Sequence, residues 1–180
     1  MMNEIKCNKL LNEIADGSDD ALSELYSEMN KAVFTYALSI ARNKQLAEDI
    51  TQDVFVKIKF GAKKYVSNIN PNGWILRLTR NTAFDSLKMQ KHELPSDFSQ
   101  DEQSNDFDQD KISNRILLKD AMEKLSSNER QVVLLYLVAG VSQKEIASVL
   151  KLPVTAVNWY YRAGIKKLSA SLKVGGYING

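Results

Sequence analysis

A polar, acidic stretch in the middle of the chain constrains the fold more than any other feature. Residues 93–110, ELPSDFSQDEQSNDFDQD, combine serine, asparagine, glutamine and acidic residues with one proline, and they lack a helical apolar period. Such a stretch cannot bury enough apolar surface to offset the entropy of ordering it. We therefore predict a flexible acidic linker over residues 93–114 that joins two halves, 1–92 and 115–174.

Neither half carries the pattern of a β-strand. No β-branched segment alternates apolar and polar residues, and no Asn-Gly or Asp-Gly pair lies between two apolar runs. The sequence therefore predicts an all-α chain made of two small helical domains.

Three helices are predicted in the first half. Ser18 precedes an amphipathic run whose first turn is acidic, where the helix dipole favours negative charge. The apolar residues of this run recur at steps of three and four: Leu22, Leu25, Tyr26, Met29, Val33, Tyr36, Ala37 and Ile40. A second helix is predicted over 45–60. A third runs from about 70 to 91, with Asn70 as N-cap and Pro71 in its first turn.

The second half begins with a predicted helix over 115–125. SSNE (126–129) is a capping box, and it precedes an apolar helix that ends at Gly140. A second capping box, SQKE (142–145), opens the most informative stretch of the chain.

That stretch, SQKEIASVLKLPVTAVNWYYRAGIKKL (142–168), predicts two helices broken at Leu152-Pro153. Ile146 and Leu150 share one face of the first helix. The second helix has its own apolar face, made of Val157, Tyr161, Gly164, Leu168 and Leu172. These two faces can pack on each other only if the helices cross steeply at a tight turn, which is the helix-turn-helix arrangement.

The other side of the second helix is polar and basic. At 100° per residue, one outward sector holds Thr155, Asn158, Trp159, Arg162, Lys166 and Ser169. Residues 115–180 carry ten basic and four acidic side chains, whereas the whole chain has a net charge of only +2. This face suits the major groove of DNA. The alternative is the solvated face of an ordinary helical hairpin.

The helix over 45–60 has one apolar and one acidic face. The apolar face holds Ala47, Ile50, Thr51, Val54, Phe55 and Ile58. The opposite face holds Glu48, Asp49, Gln52, Asp53 and Val56. Clustered carboxylates often serve only to keep a helix soluble, and the residues alone leave that alternative open.

The helix over 70–91 combines cations with aromatic rings. Arg77, Arg80, Lys88 and Lys91 lie in one sector, with Phe84 inside it and Trp74 beside it. A single nucleic-acid strand needs such a surface, because phosphates meet charge and bases meet rings. The alternative is that both rings belong to the core and the cations only face solvent.

Cysteine and histidine content limits the chemistry of the chain. Cys7 is the single cysteine and His92 the single histidine, so neither an internal disulfide nor a Cys/His metal site can form. We expect no metal and no other cofactor. The N-terminal residues lack the apolar core of a signal peptide, and no apolar run is long enough to span a bilayer. A cytoplasmic protein is expected.

Three motifs in this order resemble the extracytoplasmic function (ECF) group of bacterial RNA polymerase sigma factors. LAEDITQDVFVKI (46–58) is similar to the helix that binds core polymerase, and NPNGWILRLTRNTAFDSLK (70–88) to the promoter-melting helix. LSSNERQVVLLYLVAGVSQKEIASVLKLPVTAVNWYYRAGIKKL (125–168) is similar to the C-terminal DNA-binding domain. Together with the helix before residue 45, the resemblance covers roughly 130 residues.

The resemblance implies a function for each face. The residues expected to bind core polymerase are Asp49, Gln52, Asp53 and Val56. Those expected to bind the minus-10 promoter element as a single strand, with the loop 68–73, are Trp74, Arg77, Arg80, Asn81 and Lys88. Those expected to bind the minus-35 element as duplex DNA are Thr155, Asn158, Trp159, Arg162 and Lys166. The acidic linker would thread toward the polymerase active centre, and an anti-sigma protein would hold the factor inactive.

Two positions depart from the family pattern. Lys151 occupies the turn position where the family usually has glycine, since that residue commonly takes a positive φ. Either this lysine accepts a strain of about 1 kcal/mol or the turn has another shape. Trp159 lies where a small polar residue is common, so it would read DNA differently or pack on a neighbouring domain or inhibitor.

Two other functions fit parts of the sequence. A free-standing helix-turn-helix regulator would bind duplex DNA alone, usually as a symmetric dimer. An enzyme would use Glu48, Asp49 and Asp53 as metal ligands, although these carboxylates have no His or Cys partner and no Gly-rich phosphate loop accompanies them.

Overall fold

The structure, a computed structural model, describes residues 2–65, 70–93, 118 and 120–174, and all regular secondary structure in them is helical. The first half contains α1 (Glu4–Ala15), α2 (Asp19–Ala41), α3 (Lys44–Gly61), a 3₁₀ turn (Ala62–Lys64) and α4 (Pro71–Glu93). The second half contains helical residues 120–123, then α5 (Ser127–Leu137), α6 (Gln143–Leu150) and α7 (Val154–Val174). We call α1–α4 the N-terminal unit and residues 120–174 the C-terminal unit. The all-α prediction is confirmed for the described residues, whereas residues 94–114 of the predicted linker lie outside them.

Polar side chains fix the starts of the helices, as predicted. Ser18 Oγ accepts from the Ala21 amide at the start of α2, and Asn70 Oδ1 accepts from the Gly73 amide at 2.7 Å at the start of α4. Both predicted capping boxes are present, at residues 126–129 and 142–145. These bonds satisfy amides that the helix itself leaves without partners.

Two predicted boundaries shift. α5 ends at Leu137, and the chain then turns through Gly140, whose φ of +66° is left-handed. Glu93, which we predicted to open the linker, is instead the last residue of α4. Of the helix predicted over 115–125, residues 120–123 are helical and most of the remainder lies outside the described part.

Helix α1 was missed by the sequence analysis, although its signals are present. Asn3 caps it by accepting from the Ile5 amide at 2.8 Å. Its buried residues, Cys7, Leu10, Leu11 and Ile14, follow steps of three and four. Burial raises the pKa of the Cys7 thiol to about 12, so the cysteine remains a neutral core residue at physiological pH.

α3 packs on the N-terminal core with the face that its periodicity predicts. All six residues of the predicted apolar face are buried: Ala47, Ile50, Thr51, Val54, Phe55 and Ile58. Thr51 satisfies its hydroxyl by donating to the Ala47 carbonyl at 2.7 Å. On α2, Tyr26 follows the apolar period but is 45% exposed, and its ring lies 4.7 Å from that of Phe55 at the edge of the core.

The C-terminal unit is built on a close approach of α7 to α5. A Cβ added at Gly164 would lie 2.7 Å from Val133 Cγ2, so only glycine allows this packing distance. The predicted contact between the apolar faces of α6 and α7 is present at Ile146 and Val157, which share one buried cluster. Farther along α7, the same face packs on α5, where the Tyr161 ring lies 4.9 Å from that of Tyr136.

The two units also pack against each other, which the sequence analysis did not anticipate. Tyr36 of α2 and Leu76 of α4 are fully buried in the same cluster as Val132, Leu135 and Ile146 of the C-terminal unit. Residues of the N-terminal unit therefore complete the core of the C-terminal unit.

The turn between α6 and α7 keeps a left-handed residue despite its lysine. Lys151 has φ +56° and ψ +44°, and the following Leu152 amide donates to the Ala147 carbonyl at 2.9 Å. Of the two alternatives, the strained lysine is therefore correct.

Replacing this lysine with glycine should stabilise the chain. We expect Lys151→Gly to raise the free energy of unfolding by about 0.5–1 kcal/mol, because relief of left-handed strain exceeds the added backbone entropy of the unfolded chain. Lys151→Ala is the control, since it removes the charge and keeps the Cβ. Equal stability changes in the two variants, measured by urea unfolding, would contradict the strain explanation.

Glu129 links α5 to α7. Its side chain is 4% exposed, and its Oε2 accepts from Lys167 Nζ at 2.7 Å and from the Ser126 amide at 2.8 Å. Burial alone would raise the pKa of this carboxyl, but the hydrogen bonds from Lys167 and Ser126 lower it below its ordinary value of 4.5. The charged form therefore stabilises the fold.

Neutralising this carboxylate should destabilise the C-terminal unit. We expect Glu129→Gln to lower the free energy of unfolding by about 1–3 kcal/mol at neutral pH. The matched control is Glu145→Gln in the more exposed capping box, which should cost about 1 kcal/mol or less. Because the folded-state pKa of Glu129 is lowered, its contribution is complete above pH 4.5 and declines below it. Urea unfolding across this range should therefore show the Glu129→Gln deficit shrinking in acid, and a deficit independent of pH would contradict the assignment.

Candidate nucleic-acid and polymerase interfaces

The outward face of α3 is a continuous exposed patch. It lies opposite the buried face and holds the four residues assigned to polymerase binding: Asp49, Gln52, Asp53 and Val56. Positions 49, 52, 53 and 56 are separated by three or four residues across successive turns of the helix, so their side chains are neighbours on its surface. Val56 is 53% exposed, and among the described residues no cation forms an ion pair with either aspartate. The patch therefore offers free negative charge beside an apolar contact.

A shallow cleft of about 520 Å³ borders this patch between α2 and α3. Its lining includes Tyr26, Phe34, Thr51 and Gln52. Sequence reasoning missed the cleft because an apolar period does not show that Tyr26, a member of it, lines a surface between two helices. The cleft extends the exposed surface of α3 toward α2.

The carboxylates of this patch do not form a metal site in the described part of the chain. No group of three or more His, Cys, Asp or Glu side chains is placed there to hold an ion. Glu48, the third ligand of the enzyme hypothesis, lies 3.8 Å from Lys44 Nζ in an exposed ion pair.

On α4, the residues assigned to single-stranded DNA have unequal exposure. Asn81 and Lys88 are exposed, whereas Trp74, Arg77 and Arg80 are half-buried. The Trp74 ring packs against the N-terminal core, 5.2 Å from the Tyr65 ring. Trp74 thus belongs in part to the core, which agrees for this ring with the alternative that the aromatic rings of α4 are core residues. Residues 68 and 69 of the assigned loop lie outside the described residues.

The two arginines of α4 have different neighbours. Arg77 Nη2 lies 3.5 Å from Ser148 Oγ of α6, and the Arg80 guanidinium lies 4.8 Å above the Phe84 ring. The Nε atoms of both arginines are buried without a hydrogen-bond partner. The structure brings the two cations together but leaves part of each side chain covered.

The outward face of α7 is open along its length. Thr155, Trp159, Arg162 and Lys166 are exposed, and Trp159 is 63% exposed, with its ring 5.0 Å from that of Tyr160. Asn158 is half-buried, because its Oδ1 accepts from Gln143 Nε2 of α6 at 3.4 Å. The predicted residues of α7 therefore form one surface, and the hydrogen bond to Gln143 connects this surface to α6. The sequence analysis treated Gln143 only as part of the capping box at 142–145 and did not predict this contact.

Two family models match the chain, one in each half. Sigma-70 region 2 matches residues 25–93, which hold most of α2 with α3 and α4. Sigma-70, region 4 matches residues 115–168, which hold α5, α6 and most of α7. The chain belongs to the sigma-70 family. Helix α1 of this sigma factor lies outside both matched ranges.

Curated relatives and a solved structure agree with this assignment. The RNA polymerase sigma factor CarQ of Myxococcus xanthus is 27% identical over 85% of this sigma factor and 90% of the relative. The ECF RNA polymerase sigma factor SigK of Mycobacterium sp. (strain KMS) is 22% identical over 91% and 89%. The structure of the sigma factor RpoE with the anti-sigma factor NepR from Bartonella quintana superposes with a TM-score of 0.65 at 20% identity, covering 87% of this chain and 99% of RpoE.

The family assignment gives each described surface a regional context. The acidic patch of α3 and the cations of α4 lie in region 2, and the open face of α7 lies in region 4. Within the described residues, every helix is too short or too polar to cross a lipid bilayer.

Proposed function

We propose that this chain is an alternative sigma factor of the ECF group, which binds core RNA polymerase and directs transcription from specific promoters. The observation that carries the proposal is the presence of the region 2 and region 4 matches on one chain whose α3 and α7 faces are both exposed. The factor acts by binding in the cytoplasm, without catalytic residues or a cofactor.

Each half of the chain is proposed to form one domain with its own binding function. Residues 1–92 form sigma domain two, which binds core polymerase and the minus-10 element. Residues 115–174 form sigma domain four, which binds the minus-35 element, and residues 93–114 are the acidic linker between them. The ranges agree in order with the regions that the family models match.

Core polymerase is proposed to bind the α3 patch of Asp49, Gln52, Asp53 and Val56. Exposed carboxylates steer a basic partner by long-range attraction, and an exposed apolar side chain adds area once contact is made. The exposure of all four side chains supports this assignment.

The minus-10 element is proposed to bind α4 as a single strand. Arg77, Arg80 and Lys88 would contact phosphates, while Asn81 offers an amide to base edges. Trp74 is half-buried, so only part of its side chain would be available to a base. The closeness of Arg80 to Phe84 supports a surface that accepts both phosphate and base.

The minus-35 element is proposed to bind α7 as duplex DNA. Asn158 and Arg162 are residue types that contact adenine and guanine edges in the major groove. Lys166 would contact phosphate, and Thr155 and Trp159 would offer apolar contact to thymine methyl groups. The open, basic character of the face supports this assignment.

An anti-sigma protein is a further proposed partner. RpoE, which shares this fold at a TM-score of 0.65, was solved with the anti-sigma factor NepR. The exposed apolar and acidic surface of α3 is suited to such a protein as well as to polymerase.

Charge reversal on α3 tests the polymerase assignment. We expect Asp49→Lys with Asp53→Lys to abolish co-purification with core polymerase, because basic partner residues would meet lysines, and to leave the helical circular dichroism signal unchanged. The matched control is Asp20→Lys with Glu123→Lys, which makes the same change in net charge at exposed sites. Unchanged co-purification of the α3 variant would reject the assignment.

Truncation on α7 tests the minus-35 assignment. With holoenzyme, we expect Arg162→Ala to reduce transcription from a responsive promoter by about 10–100-fold, through the loss of about 1–3 kcal/mol of base discrimination. Lys124→Ala, at an exposed lysine of the same unit, is the control and should have little effect. Tight, sequence-specific duplex binding by the free chain would instead favour a free-standing helix-turn-helix regulator.

A further inference from the structure

The first two turns of α7 carry no charged side chain. Residues 154–161, VTAVNWYY, are apolar, hydroxylated or amide-bearing, and the first cation of this helix is Arg162. The N-terminal residues of a recognition helix are the ones that reach base edges in the major groove. Arginine and lysine make the commonest specific contacts to guanine, so these two turns lack that kind of contact. Any base that they recognise is recognised through a hydroxyl, an amide or an apolar group.

The outward face of these turns has a polar edge and an apolar edge. Asn158 and Trp159 are successive residues, so they lie about 100° apart, on opposite sides of Thr155. Asn158 is half-buried and its Oδ1 accepts from Gln143 Nε2 at 3.4 Å, whereas a contact to adenine uses both polar atoms of the amide. Trp159 is 63% exposed. The apolar edge is therefore the more accessible of the two.

The Trp159 ring is held in place by its neighbour Tyr160. The two ring centroids lie 5.0 Å apart at an interplanar angle of 73°, which is the edge-on arrangement that aromatic pairs favour. Tyr160 is itself half-buried and packs on the apolar cluster that contains Ile146 and Val157. A side chain that is already positioned loses less conformational entropy when it binds. Trp159 thus presents a large, preorganised apolar surface at the edge of the face.

No described part of the chain covers this surface. Trp159 belongs to neither apolar cluster of the described residues, and it points away from the faces of α7 that pack on α5 and α6. Within the described residues, the structure therefore does not support the expectation that Trp159 packs on a neighbouring domain. The indole is available to a partner outside the chain.

The chemistry of the major groove identifies the group that this surface fits. Thymine alone among the four bases presents an apolar group there, its C5 methyl, and apolar side chains recognise it by burying that methyl. An indole has the area to cover a methyl group completely.

We propose that Trp159, positioned by Tyr160, is a specificity-determining residue that selects thymine at one position of the minus-35 element by covering its methyl group. This inference rests on the proposed function, because it assumes that α7 binds duplex promoter DNA. It goes further by naming the base and the atom that are recognised, and by giving Tyr160 the role of a positioning residue.

Promoter selection tests the choice of base. Holoenzymes containing the wild-type chain or Trp159→Ala would transcribe a barcoded promoter library randomised in the minus-35 element, and the transcripts would be sequenced. The wild-type holoenzyme should prefer thymine at one position where Trp159→Ala accepts all four bases, with preferences at the other positions kept. The matched control is Leu137→Ala, which removes another exposed apolar side chain of the same unit. It should select the same sequences as the wild type.

A single-atom change in the DNA tests the methyl contact. Deoxyuridine in place of the selected thymine removes only the methyl group and keeps the base pair. At subsaturating holoenzyme, this replacement should reduce wild-type transcription about three- to fivefold, the loss of one buried methyl group, and should have no effect on Trp159→Ala.

The same pair of templates tests the role of Tyr160. Tyr160→Leu should bring the thymine-to-uracil ratio close to one, because it removes the ring that holds the indole, whereas Tyr160→Phe keeps the ring and should keep the ratio. General damage to the unit would lower transcription from both templates equally and leave the ratio unchanged. An unchanged ratio in Tyr160→Leu would reject the positioning role.

The remaining outcomes separate this inference from the proposed function. If the wild-type holoenzyme transcribes selected promoters but shows no thymine preference that depends on Trp159, or if uracil costs both holoenzymes the same, the thymine contact is rejected while the sigma function stands. Trp159 would then face a protein partner instead. If the wild-type holoenzyme transcribes no member of the library, the proposed function fails and the thymine contact fails with it.

Discussion

The burial of α4 between two groups of helices determines how the rest of the structure is arranged. Successive residues of this helix, Ile75 and Leu76, point into two different apolar clusters, because neighbouring positions on a helix lie about 100° apart. The same rotation places Arg77 at the border of the second cluster. The second apolar face of α4 is therefore covered by helices of the C-terminal unit.

The proposed binding surfaces of this sigma factor are of two kinds, which differ in their exposure to solvent. The faces of α3 and α7 are ordinary outer surfaces of amphipathic helices, fully compatible with solvent before a partner arrives. The cationic side of α4 is different, because Leu76 beside it is buried in the cluster of the C-terminal unit and Arg77 and Arg80 are themselves half-buried. A single polypeptide thus combines surfaces that are ready for a partner with one that is partly occupied by its own second half.

Local rules were sufficient for much of the fold. The caps at Ser18 and Asn70 and the two capping boxes depend only on residues a few positions apart, and the buried face of α3 follows directly from its period. Where those rules were incomplete, the reason is physical. Helix α1 was missed because its short apolar period is interrupted by lysines and asparagines, although Asn3 and the spacing of Cys7, Leu10, Leu11 and Ile14 were visible. Tyr26 follows the apolar period of α2, but its ring lies at the edge of the core, where period alone does not distinguish buried from half-exposed.

By itself, the sequence determined which residues share each helical face, and its motifs placed the chain in the sigma-70 family, which the comparisons then established. These properties depend on short-range order along the chain, where spacing and side-chain chemistry suffice. Only the tertiary structure decided that Lys151 carries a left-handed turn, that Gly164 lets α7 approach α5, and that Tyr36 and Leu76 join the two units. Such features depend on distances between residues far apart in sequence, which periodicity along one helix does not encode.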